Sequence, residues 1–287
     1  MELTAIEIRR AVRAALAEDL GRGDVTTLAT VPAAAQSVAL MNAREPLVVA
    51  GLQFAEVAFR EVALKYRSKV HVQLLSRDGQ RPKAGQPLLK ISGSSRAMLS
   101  AERVALNFVQ RLSGVATATA QFADAIKQSR AKILDTRKTT PGWRRFEKYA
   151  VACGGGKNHR MGLYDMMLIK DNHLVALQNE KPNAIAATVA RARKQFPKLK
   201  VEVEADTLEQ VAQAADAGAD IILLDNMPPA QLCKAVKIIA GRAQTEASGG
   251  VNLKTVRAIA ASGVDFISVG AITHSARAVD IGLDFAD

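Results

Sequence analysis

Short apolar runs alternate with helical patterns along the second half of this chain, from about residue 131 to residue 270. The runs are rich in Val, Ile and Leu, and apolar residues between the later runs recur with helical spacing. Regular strand–helix–strand succession is typical of βαβ units, which pair their strands in parallel. The strand candidates are "KILDT", "MMLIK", "KVEVE", "DIILLD", "QTEASG" and "DFISVG". We therefore expect a parallel sheet of about six to seven strands, fewer than the eight of a complete barrel.

The first part of the chain has a different pattern. A helical repeat over residues 5–20 ends at Gly21, and "LQFAEVAFREVALKY" predicts another helix. Short or alternating apolar runs predict strands of a mainly antiparallel sheet at "SVALMNA", "PLVVAG", "KVHVQLL" and "PLLKISG". The stretch over residues 95–130 predicts two helices that join near Gly114. These elements indicate a small α+β domain that ends in helices and precedes the parallel sheet.

The net charge of +11 on 287 residues indicates an anionic partner, either a nucleic acid or a small polyanionic substrate. Aromatic residues make up only 4% of the chain, so platforms for stacking bases are scarce. Neither a long basic helix face nor a nucleic-acid-binding motif is present in the sequence. We therefore favour a small substrate and expect no nucleic-acid partner.

The sequence shows no sign of a membrane or of an oxidising compartment. The longest apolar runs fall short of the ~20 residues that a membrane span needs, and the first residues lack the apolar core of a signal peptide. Cys153 and Cys233 are the only cysteines and do not form a disulfide framework. We expect a cytoplasmic protein with no membrane partner.

A polar residue or a glycine follows each of the six strand candidates. Because functional groups of parallel α/β sheets collect at the carboxyl ends of the strands, we expect these residues to meet at one site. In chain order they are Arg137 and Lys138, Lys170, Glu204, Asp225, the turn of Ser248, Gly249 and Gly250, and Gly270. We call this set the ring of strand-end residues. In chain order its members are first cations, then carboxylates, then glycine-bearing turns.

Each group in this ring has a functional interpretation and a simpler structural one. Arg137, Arg160 and Lys170 suit carboxylates, although a single cation is more often a surface charge. Glu204 and Asp225 suit Mg²⁺ or sugar hydroxyls, or a cap on the helix that follows each of them. The glycine turns suit a phosphate, bound by backbone N–H groups at a helix start, or are ordinary turns.

The glycine-rich stretch "ACGGGKNHR" contains a fragment of a phosphate-binding P-loop. Asn158 stands where that motif requires Ser or Thr, and the complete GxxxxGK[ST] pattern is absent from the sequence. We therefore exclude ATP binding of that type and expect a flexible loop that places His159 and Arg160.

A series of motifs occurs in one order along nearly the whole chain. They are "EDLGRGDVTT", "AERVALNFVQRLSG", "DTRKTTPGWRRFEKYAV", "GGGKNHRMGLYDMMLIKDNH", "VEVE", "LLDN", "EASGG" and "ISVGAITHS". The combination of "TRKTTPG" with "NHRMGLYD" and "KDNH" is highly specific. This series resembles the quinolinate phosphoribosyltransferases, also called nicotinate-nucleotide pyrophosphorylases (carboxylating).

The resemblance implies an activity and a fold. Quinolinate and phosphoribosyl pyrophosphate would give nicotinate mononucleotide, pyrophosphate and CO₂ in de novo NAD biosynthesis, with Mg²⁺ as cofactor. The fold would be α/β: an N-terminal α/β sandwich domain over residues 1–114 and an open, incomplete, TIM-like α/β barrel over residues 115–271. A tail over residues 272–287 would pack back on the first domain. The family forms a homodimer in which the N-terminal domain of one subunit faces the barrel of the other.

The resemblance also implies roles for individual residues. Those expected to bind quinolinate are Arg137, His159, Arg160 and Lys170, with Arg103 reaching in from the second copy. Those expected at phosphoribosyl pyrophosphate are Lys138, then Glu204 and Asp225 at the ribose hydroxyls, and Ser248, Gly249, Gly250 and Gly270 at the 5′-phosphate. Glu204 and Asp225 would hold Mg²⁺, directly or indirectly. The catalytic set would be Lys138, Lys170, Glu204 and Asp225. From the residues alone, Arg103 is only an arginine within a helix.

One alternative within this class stays open. A related phosphoribosyltransferase could act on another base, such as nicotinate, or belong to a paralogue associated with molybdenum transport. Several basic residues, enough for two carboxylates, favour quinolinate.

Overall fold

The computed structural model of the chain describes residues 2–286. Its helices are α1 (Ala5–Leu20), α2 (Val25–Thr30), α3 (Leu52–Lys65), α4 (Ser95–Ala125), α5 (Arg144–Cys153), α6 (Asp171–Val175), α7 (Ala184–Gln195), α8 (Leu208–Asp216), α9 (Pro229–Ile239), α10 (Val256–Ala261) and α11 (Ala271–His274). Its strands are β1 (Gln36–Ala43), β2 (Val70–Leu74), β3 (Pro87–Ser94), β4 (Lys132–Leu134), β5 (Met167–Ile169), β6 (Val201–Ala205), β7 (Ile221–Asp225), β8 (Gln244–Ser248), β9 (Phe266–Ser268) and β10 (Ile281–Phe285).

The six predicted strands of the second half form one parallel sheet, in the order β4–β9–β8–β7–β6–β5. β4 comes first in the chain and pairs with β9, the last of the six, which is the circular order of a barrel. β4 and β5 lie at opposite edges of this sheet, so the barrel is open between them. An isolated parallel bridge joins Leu134 of β4 to Lys157. The predicted α/β fold with an open barrel is confirmed.

The sheet forms because its strands bury apolar side chains against the helices that connect them. Val203 of β6 and both Ile222 and Leu224 of β7 are fully buried. α8 packs against both of these strands and against α9. Burial of this kind typically contributes about 1.5–3 kcal/mol for each large aliphatic side chain, so the helices fix the sheet from outside.

The first part of the chain contains a four-stranded antiparallel sheet in the order β10–β1–β3–β2. β10 comes from the C-terminal end of the chain and pairs with β1 from Ala39↔Phe285 to Ala43↔Ile281. α3 packs on β2 and β3, and α1 packs on α3. The predicted helix at the start is confirmed as α1, where Thr4 and Glu7 form a capping box.

Within the described residues the chain divides into two compact units. One unit contains the residues up to Ala120, Phe146–Gly155 and the residues from Ala276, whereas the other contains Gln121–Arg145 and Gly156–Ser275. The domain boundaries expected at residues 114 and 271 stay a prediction. None of the described helices combines the length and apolar character that crossing a membrane would require. The expected cytoplasmic location also stays a prediction.

The predicted strand at "PLVVAG" is wrong. Leu47, Val48 and Val49 are buried but lie outside both sheets. The backbone N–H of Val48 donates to the hydroxyl of Thr117 at 2.8 Å, and that of Ala50 donates to the hydroxyl of Ser113 at 2.9 Å. The N–H groups of Leu47 and Val49 donate to backbone carbonyls within residues 80–82. Side chains and this neighbouring segment together satisfy the buried backbone without a regular strand.

The prediction of two helices that join near Gly114 is also wrong. α4 runs unbroken for 31 residues and includes Gly114. A Cβ atom at Gly114 would lie 2.0 Å from the carbonyl oxygen of Arg277. The glycine therefore allows close approach of a backbone segment distant in sequence and does not end the helix.

Replacing Gly114 by alanine is expected to destabilise the protein by about 1–3 kcal/mol, because a methyl group must displace the backbone near Arg277. At an unconstrained helix position the same substitution would stabilise by about 1 kcal/mol, so the sign of the effect is diagnostic. Urea unfolding of the wild-type protein and Gly114→Ala measures it. A gain in stability would contradict the proposed packing.

Candidate active site

A cavity of about 790 Å³ lies at the carboxyl ends of the parallel strands, within the second unit. Apart from Arg103, all the predicted site residues line it: Arg137, Lys138, His159, Arg160, Lys170, Glu204, Asp225, Ser248, Gly249, Gly250 and Gly270. These residues are spread over 134 positions of the chain, from 137 to 270, and the sheet brings them to one site.

Two arginines of the cavity have guanidinium groups that are partly buried and incompletely hydrogen-bonded. The Nε atom of Arg137 is buried and has no hydrogen-bond partner among the described residues. Burial, and after it the charge of Arg137, lowers the pKa of Arg160. The Arg160 guanidinium donates one hydrogen bond, from Nη1 to the carbonyl of Met166 at 3.1 Å. Two partly buried cations beside each other favour binding of an anion that carries more than one charge.

The segment that carries Arg137 is held by another arginine, Arg144. Its guanidinium donates to the carbonyl oxygens of Met161 at 3.0 Å and Arg137 at 3.2 Å, and to the hydroxyl of Thr139 at 3.0 Å. Arg144 therefore stabilises the loop and does not line the cavity.

Two carboxylates lie at the ends of the neighbouring strands β6 and β7. Glu204 Oε2 accepts a hydrogen bond from Lys170 Nζ at 2.9 Å, and Asp225 Oδ2 accepts one from Asn226 Nδ2 at 2.6 Å. Neither carboxylate caps the following helix, since the caps of α8 and α9 are Thr207 and Pro228. The structural alternative for Glu204 and Asp225 is therefore excluded, and both carboxylates are directed to the cavity.

Two glycine-bearing turns also line the cavity. Gly249 has a φ of +94°, and a Cβ atom there would lie 2.1 Å from Asn226 Oδ1. A Cβ at Gly270 would lie 3.2 Å from Lys138 Cδ. The expectation that the Ser248–Gly250 turn leads directly into a helix is wrong, because α10 begins only at Val256. Its N–H groups belong to a loop.

The floor of the cavity is polar, which the sequence analysis missed. His159 Nε2 lies 2.9 Å from Glu202 Oε2 and 3.6 Å from Glu246 Oε2. Ser268 donates its hydroxyl to Glu246 Oε1 at 2.5 Å. Burial raises the pKa of both glutamates, and the charge of Glu202 raises that of Glu246 further. We call His159, Glu202, Glu246 and Ser268 the floor cluster.

The floor cluster follows from strand periodicity. Glu202, Glu246 and Ser268 each lie two positions before a predicted site residue on the same chain segment, namely Glu204, Ser248 and Gly270. Because side chains of a strand alternate between faces, a residue two positions earlier points to the same interior, one layer deeper. Asn226 and His274 also line the cavity. His274 lies four residues after Gly270, to whose carbonyl its N–H donates at 3.2 Å, so helical spacing was the available signal.

Arg103 is the predicted site residue that this cavity does not include. It lies on α4, in the first unit, and its side chain is exposed.

Partly buried arginines in one cavity with carboxylates and glycine turns, at the strand ends of an open α/β barrel, define an enzyme for anionic, phosphate-bearing small molecules. The family model "Quinolinate phosphoribosyl transferase, C-terminal domain" matches residues 115–284, and the corresponding N-terminal model matches residues 24–113. The chain belongs to the quinolinate phosphoribosyl transferase family.

Relatives of known name agree with this assignment. The nicotinate-nucleotide pyrophosphorylase [carboxylating] of Mycobacterium leprae is 45% identical over 282 residues, which cover 96% of each chain. The chloroplastic enzyme of the same name from Arabidopsis thaliana is 42% identical, over 96% of this chain and 82% of its own. The solved structure of the nicotinate-nucleotide pyrophosphorylase from Francisella tularensis superposes with a TM-score of 0.92 at 38% identity, covering 99% of this chain and 98% of that one.

Proposed function

We propose that this chain transfers the phosphoribosyl group of phosphoribosyl pyrophosphate to quinolinate, with loss of CO₂, and gives nicotinate mononucleotide and pyrophosphate for NAD biosynthesis. The observation that carries the proposal is the cavity that brings Arg137 and Arg160 together with carboxylates and glycine turns. Quinolinate has two carboxylates, which match a pair of partly buried arginines. The family membership supports the same reaction.

The cation side would bind and orient quinolinate. Arg137, Arg160 and Lys170 would hold its two carboxylates, with His159 beneath them. Lys170 donates a hydrogen bond to Glu204 in the structure. The carboxylates of quinolinate would therefore compete with Glu204 for Lys170. The bound pyridine nitrogen would then face the ribose, and positioning of this kind lowers the barrier without any covalent catalyst.

The acidic and glycine side would bind phosphoribosyl pyrophosphate. Its 5′-phosphate would accept hydrogen bonds at the turns of Ser248, Gly249, Gly250 and Gly270, and Lys138 would face the pyrophosphate. The nitrogen attacks C1 of the ribose as pyrophosphate leaves, through a transition state with oxocarbenium character. Glu204 and Asp225 would accept hydrogen bonds from the ribose hydroxyls and stabilise the positive charge.

Glu204 and Asp225 also fit Mg²⁺. Both are carboxylates of neighbouring strands that line one cavity, and each uses one oxygen in a described hydrogen bond, which leaves the other. When bound, Mg²⁺ would neutralise charge on the pyrophosphate.

Loss of CO₂ follows the transfer. Once ribosylated, the ring nitrogen is cationic and can accept the electron pair of the breaking carbon–carboxylate bond. The carboxylate next to the nitrogen leaves as CO₂, and the ring carbon then takes up a proton. The ring itself thus serves as the electron sink, and the protein mainly supplies position and charge.

We further propose a homodimer in which Arg103 of one copy completes the quinolinate site of the other. Arg103 is exposed and does not line the cavity of its own chain. The expectation comes from the family resemblance, and a subunit-mixing experiment tests it below.

With quinolinate and phosphoribosyl pyrophosphate, we expect nicotinate mononucleotide, pyrophosphate and CO₂ in equal amounts. With nicotinate in place of quinolinate we expect no product, because one carboxylate uses only part of the cationic side. Release of labelled CO₂ and chromatography of the nucleotide measure both outcomes. Product formation from nicotinate at a comparable rate would favour the alternative base specificity and contradict the proposal.

A further inference from the structure

The floor cluster contains two carboxyl groups at a depth where a parallel barrel normally carries branched apolar side chains. The side chain of Glu202 is fully buried, and that of Glu246 is 1% exposed. Taking such groups out of water costs several kcal/mol each unless other groups compensate for it. Their position is therefore costly for folding and points to a role at the site.

The contacts within the cluster converge on the imidazole of His159. The ring directs Nε2 towards Glu202 at 2.9 Å and Glu246 at 3.6 Å. The hydrogen bond between Nε2 and Glu202 Oε2 fixes the orientation of the ring. The Glu246 carboxyl lies close to the same nitrogen and restricts movement of the ring on that side.

The backbone of His159 is held independently. Its N–H donates to Asp135 Oδ1 at 2.9 Å, and Asp135 Oδ2 accepts from Asn158 Nδ2 at 2.6 Å. Asp135 is fully buried at the end of β4. Since Asp135 fixes the main chain and the glutamates fix the ring, the loop holds His159 at two separate points.

Glu246 has a further connection to the cavity. It lines the cavity together with His159, and Ser268 anchors its other oxygen at 2.5 Å. Ser268 of β9 therefore fixes Oε1 of Glu246, whereas Oε2 lies 3.6 Å from the imidazole and has no hydrogen-bond partner among the described residues.

We propose that Glu246, with Glu202, is a positioning residue for quinolinate, acting through His159 to set the affinity of the enzyme for the pyridine dicarboxylate. This inference rests on the proposed function. It predicts that substitutions in the floor cluster weaken the affinity for quinolinate far more than the affinity for phosphoribosyl pyrophosphate. The glycine turns and Asp225, which would bind phosphoribosyl pyrophosphate, lie outside the cluster.

The test is a double-mutant cycle between Glu246 and His159, read as the Kd for quinolinate by calorimetry and the KM for each substrate. Glu246→Ala is expected to raise the Kd for quinolinate by about tenfold or more, because the imidazole loses a buried carboxyl group 3.6 Å from Nε2 that restricts its position. The KM for phosphoribosyl pyrophosphate should change by less than about threefold. Glu246→Gln keeps the shape and one acceptor oxygen, so it should restore most of the affinity.

The decisive comparison is made in the His159→Ala background. If Glu246 acts through His159, Glu246→Ala should have almost no further effect there, because coupled residues are not additive. If Glu246→Ala reduced the affinity for quinolinate equally in the wild-type and His159→Ala backgrounds, the inference would be overturned. Glu246 is chosen over Glu202 because Glu246 lines the cavity, whereas Glu202 is not one of its lining residues.

A matched control separates positioning from stability. Thr245 lies next to Glu246 on β8, is buried, and bonds through its hydroxyl to Asp265 at 2.8 Å. Thr245→Val should lower the unfolding temperature and leave the Kd for quinolinate unchanged. A rise in that Kd as large as in Glu246→Ala would count against positioning. If the wild-type protein shows no turnover, the proposed function is refuted. If the wild-type protein turns over but the losses of quinolinate affinity in Glu246→Ala and His159→Ala are additive, only the positioning role is refuted.

Discussion

Arg160→Ala is expected to lower kcat/KM for quinolinate by roughly 10²-fold or more, a loss of about 2.7 kcal/mol in transition-state stabilisation. Arg137→Ala should have an effect of the same size. The guanidinium groups are partly buried, Arg137 Nε has no partner among the described residues, and burial lowers the pKa of Arg160. If quinolinate binds here, its two carboxylates would offset the energetic cost of placing these cations together. Steady-state kinetics with each substrate varied in turn measures the effect.

Two further variants make this result specific. Arg160→Lys keeps the charge but loses the bidentate fork, so its loss should be intermediate. Arg257 is exposed on α10 and does not line the cavity, so Arg257→Ala should retain wild-type kinetics and controls for the general effect of removing a cation. Near-normal turnover in both Arg137→Ala and Arg160→Ala would remove these residues from the quinolinate site.

The residues that directly follow the parallel strands form the rim of the site. They were predictable from the sequence because the position of a strand end can be read from a local apolar run. Residues such as Lys170, Glu204 and Asp225 follow apolar runs directly, and the ends of parallel strands meet at one edge of a sheet. The predicted strands fixed which residues meet, even without any knowledge of strand order. The sheet order β4–β9–β8–β7–β6–β5 was not available from periodicity, since it depends on pairing between distant segments.

The floor of the site and the packing of α4 were not predicted, for two different reasons. Glu202 and Glu246 lie inside strands, where the rule about strand ends does not apply. Their signal was alternation, since each lies two residues before a rim residue and shares its face. Gly114 gave a misleading signal, because the segment that requires a glycine there lies at Arg277, more than 160 residues away. No local pattern distinguishes a helix break from a close contact of this kind.

Mixing two inactive variants is expected to restore about a quarter of wild-type activity if Arg103 acts across a twofold dimer. Arg103→Ala removes the residue that one copy would supply, and Lys170→Ala disables the cavity of the other. Random subunit exchange gives mixed dimers in about half of the population, and one of the two sites in each is complete. That site lies in the Arg103→Ala subunit, which keeps Lys170 and receives Arg103 from its partner.

Recovery of activity distinguishes a site shared between two copies from a site built within one copy. Within a single copy, Arg103 is exposed on α4 and the cavity is lined without it, whereas Lys170 is part of the cavity wall. If both residues served the same copy, no subunit in the mixture would contain a complete site, and activity would stay at the level of the separate variants. The double variant Arg103→Ala/Lys170→Ala, mixed with Lys170→Ala, is the matched control, because no site in it is complete under either arrangement. Native mass spectrometry establishes that exchange has occurred, and an absence of recovery after exchange would exclude a shared site.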